Sequence, residues 1–211
     1  MKLSKETMRL YAVTDRAWAA DTEELLAQIE AAIDGGAAIV QLREKGLDHE
    51  QFLAEAREFA ALCRRKGAVS IINDDAEIAL ESGADGVHVG QSDLAADRAR
   101  ALLGPDKIVG VSAHSPEEAI AAQAAGADYL GVGAAFATGT KADAKPVSRE
   151  TIQAVTAAVG IPVVAIGGIT ADNILELQGL GLSGAAVVSA IFGQSDAKAA
   201  AQKLLALAKR L

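Results

Sequence analysis

The sequence predicts a single (β/α)8 barrel, because short apolar runs rich in β-branched residues alternate with longer amphipathic stretches along the whole chain. Eight such runs occur, at 9–15, 38–44, 68–74, 86–90, 108–113, 129–134, 162–168 and 184–191. They are continuously apolar, as expected for a parallel sheet that is covered on both faces. No change of composition and no linker divides the 211 residues, so we expect one catalytic domain spanning 1–211.

The stretches between the runs have helical spacing. In 22–34 the apolar residues Leu25, Ile29 and Ala32 fall on one face, with Leu26 and Ile33 beside them. A glycine, able to close a helix in the left-handed conformation, stands at each helix-to-strand crossing. These glycines are Gly35, Gly67, Gly83, Gly104, Gly126, Gly160 and Gly181. The competing architecture, an open doubly wound sheet, is disfavoured because no G-x-G-x-x-G follows the first run.

Composition excludes several classes of function. The net charge of −8 argues against general nucleic-acid binding, which needs a basic face. No run reaches the length of a membrane span and the first ten residues lack an apolar signal core, so we expect a soluble, cytoplasmic protein.

Cys63 is the single cysteine, and its helical context predicts a small core residue. The sequence leaves the oligomeric state open, a homo-oligomer included.

Polar residues cluster where the predicted strands end, which is where active sites lie in this fold. In chain order these residues are Gln41, Arg43, Glu44, Lys45, Asn73, Asp74, Asp75, Gln91, Ser92, Asp93, Ser112, His114, Thr138, Thr140, Lys141, Gly167, Gly168 and Ser189. The clustering predicts one site at the mouth of the barrel.

The charges at this mouth indicate the kind of ligand. Arg43, Lys45 and Lys141 are cations suited to phosphate oxygens, and Asp74 and Asp93 are carboxylates at the same mouth. Two carboxylates beside a phosphate group suit one Mg²⁺ ion. The combination predicts a diphosphate and Mg²⁺ site.

A second anion position is predicted after the last two strands, where the runs 162–168 and 184–191 place backbone N–H groups near helix N-termini. One diphosphate and one monophosphate in a single site indicate group transfer between two phosphorylated small molecules. A zinc site is disfavoured, because His49, His88 and His114 are widely separated in the sequence and no cysteine pair exists.

Eight motifs together resemble the thiamine phosphate synthase family over about residues 9–192: LYAVTD, VQLREK, INDDAEIALESGADGVHVGQSD, GVSAHS, GADYLGVG, TGTK, VVAIGGI and VVSAI. Each motif alone is weak, and their order and spacing make the resemblance specific. The resemblance implies a transferase that joins a hydroxymethylpyrimidine diphosphate to a thiazole phosphate, with loss of pyrophosphate before the thiazole nitrogen captures a pyrimidine carbocation.

The resemblance also implies roles for individual residues. Those implied for the pyrimidine diphosphate are Gln41, Leu42, Arg43, Glu44, Lys45, Asn73, Ser112 and Lys141. Those implied for the thiazole phosphate are Thr138, Gly139, Thr140, Gly168, Val188 and Ser189. Asp74 and Asp93 would hold Mg²⁺. Arg43, Lys45, Ser112 and Lys141 would be the catalytic group, with the cations neutralising charge on the leaving diphosphate.

Four positions depart from the family pattern or keep an alternative open. Ala134 and Ala137 stand where proline is frequent in the family, and Ser92 stands where an acidic residue is common. Asp74 could instead cap the following helix, although Asp75 has the stronger claim to that role.

The two histidines of this region are interpreted differently. His88 lies inside a predicted strand and is expected to be a core histidine with satisfied hydrogen bonds. His114 stands near the mouth, and its role stays open, because related thiazole tautomerases use a histidine in this region. The alternative functions are such a tautomerase and a non-catalytic thiamine-phosphate-binding protein. The retained cations and carboxylates favour the synthase.

Overall fold

The computed structural model describes residues 3–91, 95–139 and 146–211, and in those ranges eight parallel strands close into a barrel in chain order. The strands are β1 Leu10–Val13, β2 Ile39–Leu42, β3 Val69–Asn73, β4 Gly86–Val89, β5 Ile108–Ala113, β6 Tyr129–Val132, β7 Val163–Ile166 and β8 Gly184–Val187. The barrel closes where β8 pairs with β1, with Leu10 opposite Ala185. The predicted (β/α)8 barrel is confirmed.

The helices surround the strands. They are α1 Lys5–Met8, α2 Thr22–Asp34, α3 His49–Lys66, α4 Ala76–Glu81, α5 Ala96–Leu103, α6 Pro116–Ala124, α7 Arg149–Ala158, α8 Ser189–Phe192 and α9 Ala197–Ala208, with 3-10 helices at Arg16–Trp18 and Ile174–Leu177. Aspartate or serine side chains accept an early backbone N–H of several helices and so fix where they begin. Examples are Asp21 for α2, Asp48 for α3 and Ser115 for α6.

The structure corrects the predicted elements in two places. The connection from β7 to β8 contains a short 3-10 helix where the repeat predicted an α-helix. The predicted strand over 184–191 ends at Val187, because the backbone N–H groups of Ile191 and Phe192 donate to the carbonyl of Val188 and start a helical turn. A continuous apolar run does not distinguish strand from helix by its periodicity.

The predicted crossing glycines are mostly confirmed. Gly67, Gly83, Gly104, Gly126 and Gly181 have positive φ. At the first crossing the prediction is wrong, because Gly35 has a φ of −81° and the left-handed residue is Gly36. Gly160 is outside the left-handed region as well. The clearest case is Gly67, whose N–H closes α3 on the carbonyls of Cys63 and Arg64.

Two apolar clusters hold the barrel together. The larger one lies between the strands and the surrounding helices and includes Leu42 and Cys63. Cys63 is fully buried, so the prediction of a core cysteine is confirmed, and burial raises the pKa of its thiol to about 12. The second cluster fills the barrel itself and contains Met8, Tyr11, Val13, Ile39, Val69, Ile71, Ile108, Tyr129, Val164 and Ala186. Within the described ranges, no helix combines the length and apolar character of a membrane span.

Strand alternation connects this interior to the predicted site. Side chains two apart on a strand share a face. Gln41 therefore faces the same way as Ile39, and Asn73 the same way as Ile71. At the carboxyl ends of their strands, Asn73, His88, Ser112 and Ile166 are partly exposed while their neighbours on the strand are buried. The interior is thus apolar at its base and polar toward the carboxyl end.

The floor of the barrel depends on a glycine in β8. A Cβ atom on Gly184 would lie 1.9 Å from the carbonyl oxygen of Met8 and 2.7 Å from the Cα of Arg9. Only a residue without a side chain lets the end of α1 approach this closely.

We therefore predict that Gly184→Ala lowers the free energy of unfolding by about 1–3 kcal/mol, the usual cost of overpacking. Denaturant titration followed by circular dichroism measures it. Gly160→Ala is the matched control, because the nearest atom to its added Cβ is 3.8 Å away, and it should change stability by less than about 0.5 kcal/mol. Equal stability of the two variants would contradict the prediction.

Candidate functional site

Arg43 is held at the end of β2 by the segment that follows β1. The backbone N–H of Thr14 donates to the carbonyl of Gln41 at 2.9 Å, and the backbone N–H of Arg43 donates to Thr14 Oγ1 at 2.9 Å. The guanidinium donates to Asp15 Oδ2 at 3.2 Å and is 18% exposed. A guanidinium carries five N–H donors, so this bond orients Arg43 and leaves donors for an anionic ligand. Thr14 and Asp15 were not proposed as site residues from the sequence.

The side chains of Leu42 and Glu44 lie away from the barrel interior. Leu42 is fully buried in the outer apolar cluster, beneath the helices. Glu44 pairs with Arg16 at 3.0 Å, and Arg16 also pairs with Glu55 of α3. Both carboxylate side chains are almost completely buried. Any contact of Leu42 or Glu44 with a substrate would therefore use the backbone, whereas Lys45 beside them is exposed.

The buried carboxyl pair anchors the segment that carries Arg43 and Lys45. Thr22 of α2 donates to Glu55, so α2, α3 and the segment after β2 meet at this cluster. Burial raises the pKa of Glu44, and the nearby Glu55 carboxylate raises it further, against the opposing effect of Arg16. The cluster therefore holds two carboxyl groups on one guanidinium.

The residues after β3 divide two roles between neighbouring aspartates. Asp75 caps α4, since its Oδ1 accepts the backbone N–H of Ile78 at 2.9 Å, which confirms the role predicted for it. The alternative in which Asp74 caps this helix is wrong for the same reason. Asp74 has a φ of 65°, a conformation that aspartate tolerates better than most residues, and its N–H donates to the carbonyl of His88 at 2.8 Å. This bond fixes Asp74 on the rim between β3 and β4.

A carboxylate on this rim is a suitable oxygen donor for Mg²⁺. Asp93, the second predicted ligand, lies outside the described residues, as does Ser92. In the described part of the chain, no three His, Cys, Asp or Glu residues come together as a metal-binding group. The Mg²⁺ site therefore stays a prediction.

His88 and Ser112 meet on adjacent strands. His88 Nε2 lies 3.0 Å from Ser112 Oγ, and His88 Nδ1 lies 2.9 Å from the hydroxyl of Tyr129. Both ring nitrogens have partners, as the sequence predicted for His88. Gln91 Nε2 donates to the backbone carbonyl of Ser112 at 2.7 Å. His114 is half exposed and lies 3.1 Å from Glu118 on α6.

Two tyrosines extend this contact across the barrel. The hydroxyl groups of Tyr11 and Tyr129 are 2.8 Å apart, and Gln41 Nε2 donates to the Tyr11 hydroxyl at 2.7 Å. Gln41 and Ser112, both predicted to bind the pyrimidine substrate, are thus joined through buried side chains. The tyrosines were missed in the sequence. The available signal was their position on the inward face of a strand, where a buried hydroxyl needs a partner.

The rim formed by β6, β7 and β8 carries the predicted thiazole phosphate residues. Gly168 has a φ of 64°, and a Cβ atom on it would lie 2.4 Å from the carbonyl oxygen of Ala137. Gly167 similarly fits against Ala134 of the segment after β6. These glycines therefore bring the ends of β6 and β7 close together.

The remaining predicted residues of this rim follow the same three strands. Thr138 and Gly139 follow β6, and Val188 and Ser189 begin α8 directly after β8. Thr140 and Lys141 lie outside the described residues. The structure thus brings five predicted residues to three neighbouring strands: Thr138, Gly139, Gly168, Val188 and Ser189.

Comparison with known proteins gives one consistent result. The family model described as thiamine monophosphate synthase matches residues 10–191. The chain is 51% identical over 202 residues to the thiamine-phosphate synthase of Ruminiclostridium cellulolyticum, covering 96% of each chain. It is 45% identical to that of Clostridium tetani, covering 92% of this chain and 93% of the relative. The solved thiamine phosphate pyrophosphorylase of Pyrococcus furiosus superposes with a TM-score of 0.88 at 34% identity and 97% coverage of both chains.

The carboxyl cluster predicts a pH dependence of stability. Because the pKa of Glu44 is raised in the folded protein, its contribution to stability is largest at low pH and is lost as the pH rises above the ordinary value of 4.5. Glu44→Gln removes this titration. The decrease in Tm between pH 5 and pH 7 should therefore be smaller in this variant than in the wild type.

Differential scanning fluorimetry across this pH range measures the effect. Glu58→Gln is the matched control, because Glu58 lies on the same helix as Glu55 and is exposed. An identical pH profile for wild type, Glu44→Gln and Glu58→Gln would contradict the prediction.

Proposed function

Since the chain belongs to the thiamine monophosphate synthase family and is an enzyme of thiamine biosynthesis, we propose that it joins a hydroxymethylpyrimidine diphosphate to a hydroxyethylthiazole phosphate, giving thiamine phosphate and pyrophosphate. The observation that carries the proposal is the arrangement of charge on the first half of the rim. Arg43, oriented by Asp15, leaves β2, and Asp74 leaves the adjacent β3. A cation and a carboxylate on neighbouring strands suit a diphosphate with Mg²⁺.

The pyrimidine diphosphate would bind along β2, β3 and β5. Arg43, which Asp15 holds through one hydrogen bond, would contact the diphosphate through two of its remaining N–H groups at once. Lys45, exposed on the same segment, would add a second positive charge. Gln41 and Ser112, which face the barrel axis, would contact the pyrimidine ring, and Asn73 lies between them in strand order.

The thiazole phosphate would bind on the other side of the same rim, after β6, β7 and β8. Phosphate sites are frequent after the last two strands of such barrels. Backbone N–H groups around Gly168 and at the start of α8, with the hydroxyls of Thr138 and Ser189, would hold the anion. With the two anions on opposite sides of the rim, the reacting ends of both substrates would meet near the barrel axis.

Asp74 fits a Mg²⁺ ion, with Asp93 as the second ligand carried over from the family resemblance. When bound, Mg²⁺ would neutralise negative charge on the diphosphate oxygens. The protein's own contribution at this position is the fixed rim conformation of Asp74, which the bond from its N–H to the carbonyl of His88 maintains.

The reaction we propose begins with cleavage of the bond between the pyrimidine methylene carbon and the diphosphate oxygen. Both electrons of that bond leave with pyrophosphate, and Arg43, Lys45 and Lys141 stabilise the charge that develops there. The thiazole nitrogen then donates its electron pair to the pyrimidine carbocation, which forms the new carbon–nitrogen bond. This sequence needs no general base, so His114, paired with Glu118, has no step in it. The protein must hold both substrates in place and exclude water.

The direct test incubates the purified protein with both substrates in Mg²⁺ and, separately, in EDTA, and measures thiamine phosphate and pyrophosphate. We expect equal amounts of both products with Mg²⁺ and a loss of at least 100-fold with EDTA, on the order of what one well-placed charge contributes. No product with Mg²⁺ present would exclude the synthase. Full activity in EDTA would exclude the metal alone.

Asp74→Asn tests the proposed metal ligand. Asparagine tolerates the left-handed conformation of residue 74, so the change removes the charge and keeps the backbone. We expect turnover to fall by about 100-fold or more, with a higher Mg²⁺ concentration for half-maximal activity. Asp106→Asn, an exposed aspartate before β5 at the other end of the barrel, should behave like wild type. Wild-type Mg²⁺ dependence in Asp74→Asn would remove Asp74 from the metal site.

A further inference from the structure

Five polar side chains form a continuous hydrogen-bonded chain through the barrel interior. Its members are Gln41, Tyr11, Tyr129, His88 and Ser112, from β2, β1, β6, β4 and β5. The consecutive separations are 2.7 Å, 2.8 Å, 2.9 Å and 3.0 Å. We name this group the interior chain. Its two ends are residues of the proposed pyrimidine pocket, and its three middle members have no role in the proposed reaction.

With Nε2 of Gln41 facing the Tyr11 hydroxyl, the hydrogen bonds of the interior chain can satisfy every buried proton in only one direction. Gln41 Nε2 donates to the Tyr11 hydroxyl, so the Tyr11 oxygen is an acceptor there. The Tyr11 proton then goes to Tyr129, and the Tyr129 proton goes to His88 Nδ1. In the reverse arrangement Tyr11 would accept twice, and its own proton would be buried without an acceptor in the chain. An unsatisfied buried donor costs about 1–3 kcal/mol.

This direction determines the tautomer of His88 and the orientation of the Ser112 hydroxyl proton. With Nδ1 of His88 accepting from Tyr129, the ring carries its proton on Nε2 and donates it to Ser112 Oγ. Ser112 Oγ is thereby occupied as an acceptor, and the hydroxyl proton of Ser112 must point elsewhere. Ser112 is the partly exposed residue of β5, so its proton is available at the mouth of the barrel.

The hydroxyl groups of Tyr11 and Tyr129 are well suited to donate in this fixed direction. Both are fully buried, with ring centroids 5.8 Å apart in an edge-to-face arrangement. Burial raises the pKa of Tyr11, and burial together with Tyr11 raises that of Tyr129, so both stay protonated across the physiological range. Neither can lose the proton that it donates.

Packing keeps the chain in one arrangement. A Cβ atom on Gly110 would lie 2.1 Å from the ring of Tyr129, and one on Gly131 would lie 3.2 Å from the ring of His88. The absence of side chains at these two positions gives the rings their places, and the close fit restricts their movement.

We propose that the interior chain is a positioning device for the pyrimidine substrate, in which His88, Tyr129 and Tyr11 fix Ser112 as a hydrogen-bond donor to an acceptor atom of that substrate and fix the orientation of Gln41. The proposal rests on the function proposed above. Tyr11, Tyr129 and His88 are positioning residues, because they act through Ser112 and Gln41.

Tyr129→Phe breaks the chain at its centre and leaves the ring volume nearly unchanged. We expect kcat/KM for the pyrimidine diphosphate to fall about tenfold, comparable to one net hydrogen bond, with KM for the thiazole phosphate within about twofold of wild type. In a Ser112→Ala background the same change should cost clearly less than it does alone, because Ser112, one of the two groups that the interior chain positions, is gone. Ser70→Ala removes the two part-buried hydrogen bonds between the Ser70 hydroxyl and Asp85, and should leave both constants unchanged.

Additive effects of Tyr129→Phe and Ser112→Ala would overturn the proposal, as would an unchanged kcat/KM in Tyr129→Phe. If wild type forms no thiamine phosphate at all, the proposed function fails and the substrate role of the chain fails with it. If wild type is active and the effects of Tyr129→Phe and Ser112→Ala are additive, the function stands and the positioning role is wrong.

Nitrogen NMR of protein labelled in its histidine rings tests the direction of the chain without substrate and without a change in the interior. The protein contains three histidines, and His49→Gln and His114→Gln assign the signals of the two others. We expect His88 to show a protonated Nε2 and an unprotonated Nδ1. A protonated Nδ1 would reverse the chain and overturn the proposal, even if Tyr129→Phe proved too unstable to measure.

Discussion

The buried contact between Tyr11 and Tyr129 is the interaction on which the rest of the site depends. The two rings meet near the barrel axis, above an apolar floor made by residues such as Met8, Ile39 and Ile108. Their hydroxyl groups bond to each other, and each holds a further residue in place, Gln41 on one side and His88 on the other. The polar residues at the mouth are therefore held by side chains of the barrel core, so packing of the interior determines the geometry of the proposed substrate pocket.

A second constraint acts outside the barrel. The segment after β2 carries two cations, and it is held on one side by Thr14 and Asp15 and on the other by the buried group of Arg16, Glu44 and Glu55. Two carboxyl groups on one guanidinium are costly to bury, and breaking such a group by removing one partner is more costly still. The contacts of Glu44 therefore anchor the segment that carries Arg43 and Lys45. An arginine that is already oriented loses less entropy when it binds a diphosphate.

The fold was largely predictable, because a (β/α)8 barrel repeats one local pattern. All eight strands were found from apolar runs, and the rim position of residues such as Gln41, Asn73 and Ser112 follows from strand direction alone. The errors have local causes. The run 184–191 contains both a strand and a helical turn, and an apolar sequence carries no period that separates them. The substrate contacts of Leu42 and Glu44 stay a prediction. Side chains alternate between the two faces of a strand, so such contacts would use the backbone.

The sequence by itself determined the architecture and the family and predicted a site at the strand ends, because strand direction, helix caps and motif order are encoded locally. Only the tertiary structure decided which of these residues act together. Tyr11 and Tyr129 are separated by 118 residues, and Arg16 and Glu55 by 39, and no periodicity relates the members of either pair. Barrel closure brings β1 and β6 to opposite sides of one interior, where a buried hydroxyl must find a partner. That requirement joins Gln41 to Ser112 and can be seen only after the chain has folded.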